Sequence, residues 1–289
     1  MTRFIAEIGS NHNRDPERAH ALIEASARAG CDAVKIQVFR VDDLFAPEAL
    51  ARHPHLGERR AWEFPLEMLG DVRAQCREEK VELGATPFGL WAVDALAEHV
   101  DFLKVASYEI LWHELLRACV ATGLPLVLST GMATEQEVAG AVDAVDGALT
   151  LLHCVSGYPT PPEQANLAAI QTMRDRFGCP VGWSDHTGVD AVVTQAVLRW
   201  QASDVELHID LDDGGFEAGE HNWTPARIRA LRAVIASGDL VVDPQLDGDG
   251  RKVPQPVELP DVQWRADPLD GLRPMRDARA ALAGPAAGD

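Results

Sequence analysis

The chain has 289 residues, of which 46% are hydrophobic and 25% charged, a composition that supports one large core and excludes disorder, a collagen-like repeat or a small disulfide scaffold. Its five cysteines (Cys31, Cys76, Cys119, Cys154, Cys179) are scattered without a CxxC pair, so neither a disulfide framework nor a cysteine-zinc site is indicated. A net charge of −19 disfavours nucleic acid and anionic membranes, and no apolar run approaches the roughly 18 residues of a membrane span, so the expected location is the cytoplasm.

Short apolar, β-branched runs alternate with stretches of helical period as far as about residue 235. In chain order the expected strand and helix pairs are Phe4–Gly9 with Pro16–Ala29, Ala33–Phe39 with Leu66–Glu79, Val81–Ala85 with Trp91–Glu98, and Phe102–Val105 with Trp112–Thr122. Then come Leu126–Ser129 with Glu135–Val145, Leu149–Cys154 with Leu167–Phe177, Val181–Ser184 with Val189–Trp200, and Val205–His208 with Pro225–Ile235. Gly30, Gly123 and Gly178 each follow a helical run where a left-handed cap is expected. Eight such pairs are the arithmetic of a (β/α)8 TIM barrel, a single α/β domain. A doubly wound open sheet is the competing arrangement, but no GxGxxG turn follows the first strand.

Two departures from a minimal barrel are visible. Residues 40–62 form a polar insertion rich in Arg, His and Pro that could act as a lid. The catalytic barrel is expected over residues 1–240, and residues 241–289, rich in Asp, Gly and Pro, read as an irregular C-terminal tail packing on it.

Active sites of such barrels sit at the carboxyl ends of the strands, so polar residues in otherwise apolar runs are informative. Glu7 interrupts the first strand, and Lys35 and Gln37 share a parity in the second. Thr86 follows the third, and Lys104, Ser107 and Glu109 follow one another around the fourth. Buried charges need partners, so any one of these could belong to a structural network, whereas a core has no use for the whole collection. With Ser129, Ser156 and Ser184 they offer two cations and several hydroxyls, which suit a phosphorylated carboxylic acid; the serines could equally cap helices. His186 and His208 end the last two strands, and imidazoles on neighbouring parallel strands, about 4.8 Å apart, can share one metal ion. His153, His113 and His221 read as satisfied hydrogen-bonding residues, and His53 and His55 as solvated.

The series AEIGSNH (6–12), VKIQ (34–37), ATPF (85–88), FLKVASYEI (102–110), LSTGM (128–132), LLHCVSGYPTP (151–161), NL (166–167), PVGWSDHTG (180–188) and ELHI (206–209) resembles the sialic acid synthase family. The resemblance implies a TIM barrel that condenses phosphoenolpyruvate with an aldose such as N-acetylmannosamine, releases phosphate, and requires a divalent metal, Mn2+ or Mg2+. It implies His186 and His208 as metal ligands, and Lys35, Thr86, Lys104, Ser107 and Ser184, with Ser129, as the phosphoenolpyruvate set. Glu7 and Glu109 correspond to acidic residues beside the reacting carbons, and Gln37 and Tyr158 to groups that touch the sugar. Glu220, in Ala218-Gly-Glu-His221, takes the place of a sugar-contacting aspartate, and Ser156 that of an asparagine. Full-length members carry a C-terminal antifreeze-like domain whose arginine reaches a partner's barrel; this chain is expected to stop without it. Arg265, Arg273 and Arg276 of the tail could fold over the mouth instead, and a homodimer stays open. Two other readings remain: a barrel aldolase with Lys104 or Lys35 as Schiff-base nucleophile, and a catalytically silent scaffold.

Overall fold

The computed structural model describes residues 1–211, 215 and 219–282. Its eight strands are β1 (Arg3–Gly9), β2 (Ala33–Val38), β3 (Glu82–Pro87), β4 (Phe102–Val105), β5 (Leu126–Ser129), β6 (Leu149–His153), β7 (Val181–Asp185) and β8 (Asp204–His208). Each pairs in parallel with the next, and β8 returns to β1 to close the barrel. The fold is the expected (β/α)8 TIM barrel.

The helices between strands are α1 (Pro16–Ala29), α2 (Leu69–Glu79), α3 (Leu90–Ala97), α4 (His113–Ala121), α5 (Glu135–Asp143), α6 (Ala169–Phe177), α7 (Asp190–Leu198) and α8 (Pro225–Ser237). They follow the expected periodicity to within a turn. The largest shift is in α2, which opens at Leu69 because Pro65 leads into a tight 3-10 turn over Leu66–Met68. Outward-facing strand residues such as Ala6, Ile36, Leu83 and Leu151 join helix residues such as Leu22, Leu116 and Ile170 in the main core.

The inside of the barrel is filled separately. Ile5, Ala33, Phe102, Val127 and Leu152 form an apolar plug at the amino-terminal end of the strands. Gly84 is needed there, since a Cβ on it would lie 2.2 Å from the Phe102 ring. The plug closes the bottom, so chemistry is confined to the opposite rim.

The insertion after β2 is more ordered than its polar composition suggests. It folds into short helices, Val41–Leu44 and Pro47–Arg52, and a 3-10 stretch, Pro54–Trp62. Val41, Leu44, Phe45, Ala49 and Leu56 pack with Phe39 and Phe88 as a second apolar cluster, against which Trp264 and Leu282 from the tail also lie. Tail and insertion are joined by main-chain bonds: Ala46 N donates to Arg273 O at 2.8 Å and Arg273 N to Leu44 O at 2.9 Å. Among its described residues the tail holds two short helices, Pro244–Asp247 and Arg276–Leu282, among turns. Among the described residues no helix is long and apolar enough to cross a membrane.

Candidate active site

In parallel pairing, residues in register point the same way, so the plug predicts what stands above it. Two residues after Ile5, Ala33 and Phe102 come Glu7, Lys35 and Lys104, and two before His208 comes Glu206. Glu7 is in register with Lys35 on one side and with His208 on the other. The layer above the plug is therefore ionic. Lys35 pairs with Glu7 and donates to Thr86 Oγ1 at 2.8 Å. Lys104 Nζ lies 3.8 Å from Glu206 Oε1, which also accepts from Ser184 Oγ at 3.1 Å. Burial alone would raise the Glu206 carboxyl, but Lys104 and Lys35 outweigh it and hold the group well below the usual carboxylate range. Two buried cations thus face two buried carboxylates, all at most 3% exposed.

Beside this layer, three strand ends converge on a bare stretch of backbone at Gly131. Ser107 Oγ accepts from Gly131 N at 3.0 Å and touches Cys154 Sγ at 3.2 Å. A Cβ on Gly131 would lie 2.1 Å from Ser156 Oγ and 2.8 Å from Ser107 Oγ. Ser156 Oγ is buried with no hydrogen-bond partner among the described residues. The result is a small hydroxyl-lined nook, and Ser129, buried and inward-facing at the end of β5, adjoins the same loop.

The two strand-end histidines do come together. Their ring centroids are 5.3 Å apart, with His221 a further 5.2 Å from His208 and the Tyr158 ring 4.3 Å from His186. His186 donates from Nδ1 to the Val155 carbonyl at 2.8 Å, which leaves Nε2 with its lone pair. Burial, reinforced by His208, lowers its pKa to about 3, so the ring is neutral at physiological pH. Among the described residues no group of three or more His, Cys, Asp or Glu side chains could hold a metal ion.

An open cavity of about 640 Å³ lies over the rim. Of the expected residues, Gln37, Tyr158 and His208 line it, whereas the lysines, Glu7 and the serines lie outside its lining. Its outer wall comes from the insertion (His53, His55, Arg59, Trp62) and from the tail (Asp261, Trp264, Arg273). Glu109 is buried, and Arg273 reaches it through Nε at 2.8 Å, with its guanidinium over the Tyr108 ring at 4.3 Å. Burial pushes the Glu109 carboxyl above its ordinary value, with Arg273 offsetting part of the rise.

Of the three tail arginines, only Arg273 reaches the cavity. Arg265 is committed to Glu137 and Met132 O, and Arg276 pairs with Asp267 and Asp270. Glu220 is exposed and does not line the cavity, and the adjoining Ala218 lies outside the described residues.

Sequence reasoning missed three features. Glu206 was legible, since it stands two residues before His208 and so faces the same way. His221, read as an ordinary hydrogen-bonding residue, packs on His208 and lines the cavity. His53, read as solvated, packs on Trp264 with ring centroids 5.4 Å apart. Its position depends on tail and insertion meeting, which no local pattern reveals.

A closed barrel with an ionic layer, a hydroxyl nook and paired imidazoles at one rim is the architecture of an enzyme. The chain belongs to the NeuB family, whose model matches residues 22–238. It is 34% identical over 285 residues to the N,N'-diacetyllegionaminic acid synthase of Legionella pneumophila, covering 90% of this chain and 77% of that one. It is 32% identical over 251 residues to the N-acetylneuraminate-9-phosphate synthase of Drosophila melanogaster, covering 81% and 67%. Among solved structures, the N-acetylneuraminic acid synthetase of Leptospira borgpetersenii, in complex with citrate, superposes with a TM-score of 0.76 at 28% identity, covering 91% of this chain and 90% of that one.

Proposed function

We propose that this protein condenses phosphoenolpyruvate with an aldose, giving a chain-extended 2-keto-3-deoxy sugar acid and inorganic phosphate. The observation that carries this reading is the juxtaposition, at one rim, of two buried lysines, a hydroxyl nook and a pair of imidazoles. Lys35 and Lys104 balance the charge of the donor's carboxylate and phosphate, and Thr86, Ser107, Ser129, Ser156 and Ser184 supply hydroxyls to its oxygens. The acceptor occupies the wider cavity against Gln37, Tyr158 and Arg273. Glu220, in the turn beside His221, could reach it only from the rim.

The family resemblance implies a divalent cation, Mn2+ or Mg2+, and the residues fit one. The neutral imidazole of His186 presents Nε2 beside His208, a donor set that leaves most of the coordination sphere to water and substrate. A cation held by His186 and His208 would supply Lewis-acid polarisation of the acceptor aldehyde. The remaining work falls to the protein. The rim holds the enol carbon of the donor against the aldehyde carbon, a gain in effective concentration. A new carbon–carbon bond forms as the enol π pair moves to the aldehyde carbon and the carbonyl π pair moves onto the aldehyde oxygen, which takes up a proton; water then adds to the donor's second carbon, left cationic. Glu7, on the row between Lys35 and His208, accepts the proton of that water, with Glu109 as the second acid at the site; the new hydroxyl then loses its own proton as its oxygen forms the ketone, and phosphate departs with the C–O bonding pair.

A Schiff base on Lys35 or Lys104 is the weaker reading. Each ammonium faces a carboxylate rather than an apolar pocket. The test is phosphate release by purified protein with Mn2+, phosphoenolpyruvate and a panel of six- to nine-carbon aldoses. Release is expected only with a suitable aldose, and EDTA, His186→Ala or His208→Ala should each abolish it. Full activity after either replacement would remove the metal assignment; no release with any aldose would leave the silent scaffold.

A further inference from the structure

The tail does more than cover the barrel, because one of its carboxylates ties together the two loops that form the nook. Glu258 is fully buried. Its Oε1 accepts from Met132 N at 2.6 Å, in the loop after β5, and from Ser156 N at 2.7 Å, in the loop after β6. Its Oε2 accepts from Gln255 N at 2.7 Å, which closes the short tail turn Pro256–Glu258 and fixes the side chain's direction.

Met132 is the informative contact. Its φ is 58°, a left-handed conformation disfavoured for any residue with a Cβ, so something must hold it. Both of its backbone groups are held from the tail: the N–H by Glu258, and the carbonyl by Arg265 Nη1 at 3.2 Å. The residue before it is Gly131, the bare backbone of the nook, and the other loop held by Glu258 carries Ser156, whose hydroxyl faces that glycine. One carboxylate oxygen thus bridges the two loops that carry the walls of the nook.

We infer that Glu258 is a positioning residue, which sets the spacing of the Gly131 and Ser156 backbones and so holds the nook open to an anionic oxygen of the donor. The inference rests on the proposed reaction for the identity of that donor. Glu258 touches neither substrate, and its effect passes through two main-chain N–H groups. Without the carboxylate these N–H groups lose their shared acceptor, and Met132 is free to leave the left-handed region.

The test compares wild type with Glu258→Ala and Glu258→Asp, the latter keeping the charge but shortening the reach. Hydrogen–deuterium exchange of peptides covering residues 130–133 and 155–158, calorimetric titration with phosphoenolpyruvate, and steady-state phosphate release are measured together. In E258A, exchange of both segments should rise at least ten-fold and phosphoenolpyruvate affinity should fall at least ten-fold. The acceptor KM should stay within two-fold. E258D should lie between the two, and it decides the matter if E258A does not fold. Unchanged exchange in both segments, unchanged phosphoenolpyruvate affinity, or parallel loss for both substrates would overturn the role of Glu258. Wild-type protein that binds no phosphoenolpyruvate would instead overturn the functional reading and with it the ligand named here, while the exchange data still report whether Glu258 orders the loops.

Discussion

Lys104 and Glu206 illustrate what the ionic layer asks of single residues. Both are buried, and the carboxylate stays ionised because Lys104, with Lys35 behind it, overcomes the desolvation that would otherwise neutralise it. Removing one member of such a pair leaves a charge with no solvent to receive it, at a cost of about 3–5 kcal/mol, whereas removing both is far milder. Lys104→Met should therefore lower the thermal midpoint by several degrees, and the double variant Lys104→Met/Glu206→Gln should recover more than half of the loss in a denaturation-based double-mutant cycle. Additive effects would show that the two charges are not coupled. Parity picked out Lys35 and Gln37 in β2; the same parity along β8 pointed to Glu206 beside His208, but the sequence reading passed it over. Arg273 was readable only as one of three tail arginines. Its selection follows from a contact with Glu109 that spans 164 residues.

The eight strands and their helices were legible because each carries its own period, apolar run or cap. Thr134 and Glu137, for example, form a capping box that fixes the start of α5 from four residues alone. The insertion was legible as polar but not as folded, since its apolar cluster is completed by Phe88 from β3 and Trp264 from the tail. The last helix, Arg276–Leu282, depends on a similarly non-local clasp: Asp270 accepts from Arg279 Nη1 at 2.7 Å and Nη2 at 2.8 Å. The hydrogen bond from Arg279 outweighs desolvation and lowers the Asp270 pKa to about 2. A carboxyl whose folded value lies below its unfolded value of about 3.9 contributes its stabilisation above that value and loses it as pH falls toward 2. Asp270→Asn at neutral pH should therefore speed hydrogen exchange over residues 276–282 without changing exchange in the strands. In wild type the same segment should loosen as pH drops from about 4 toward 2. The pair is partly solvated, so high salt should shrink the difference; exchange in the Asp270→Asn variant equal to wild type at low salt would show that the clasp holds nothing.

At the scale of the whole molecule, the charge of −19 and an anionic donor pull in opposite directions. The lysines that would receive phosphoenolpyruvate are buried and already faced by carboxylates, so they act over short distances, while the acidic exterior repels a polyanion over long ones. Salt separates these two effects. The Debye length falls from about 30 Å at 0.01 M to about 8 Å at 0.15 M ionic strength, which screens the exterior field while leaving buried pairs almost untouched. The KM for phosphoenolpyruvate should therefore fall a few-fold as potassium chloride is raised over that range, opposite to the usual loss of affinity when salt weakens an anion site. An uncharged aldose feels neither field, so its KM, measured at saturating donor in the same buffers, should stay flat and serves as the internal control. A KM for phosphoenolpyruvate that rises with salt from the lowest concentration would mean that the long-range field at the rim is positive. In that case Arg59 and Arg273 at the cavity wall, rather than the net charge, govern how the donor arrives.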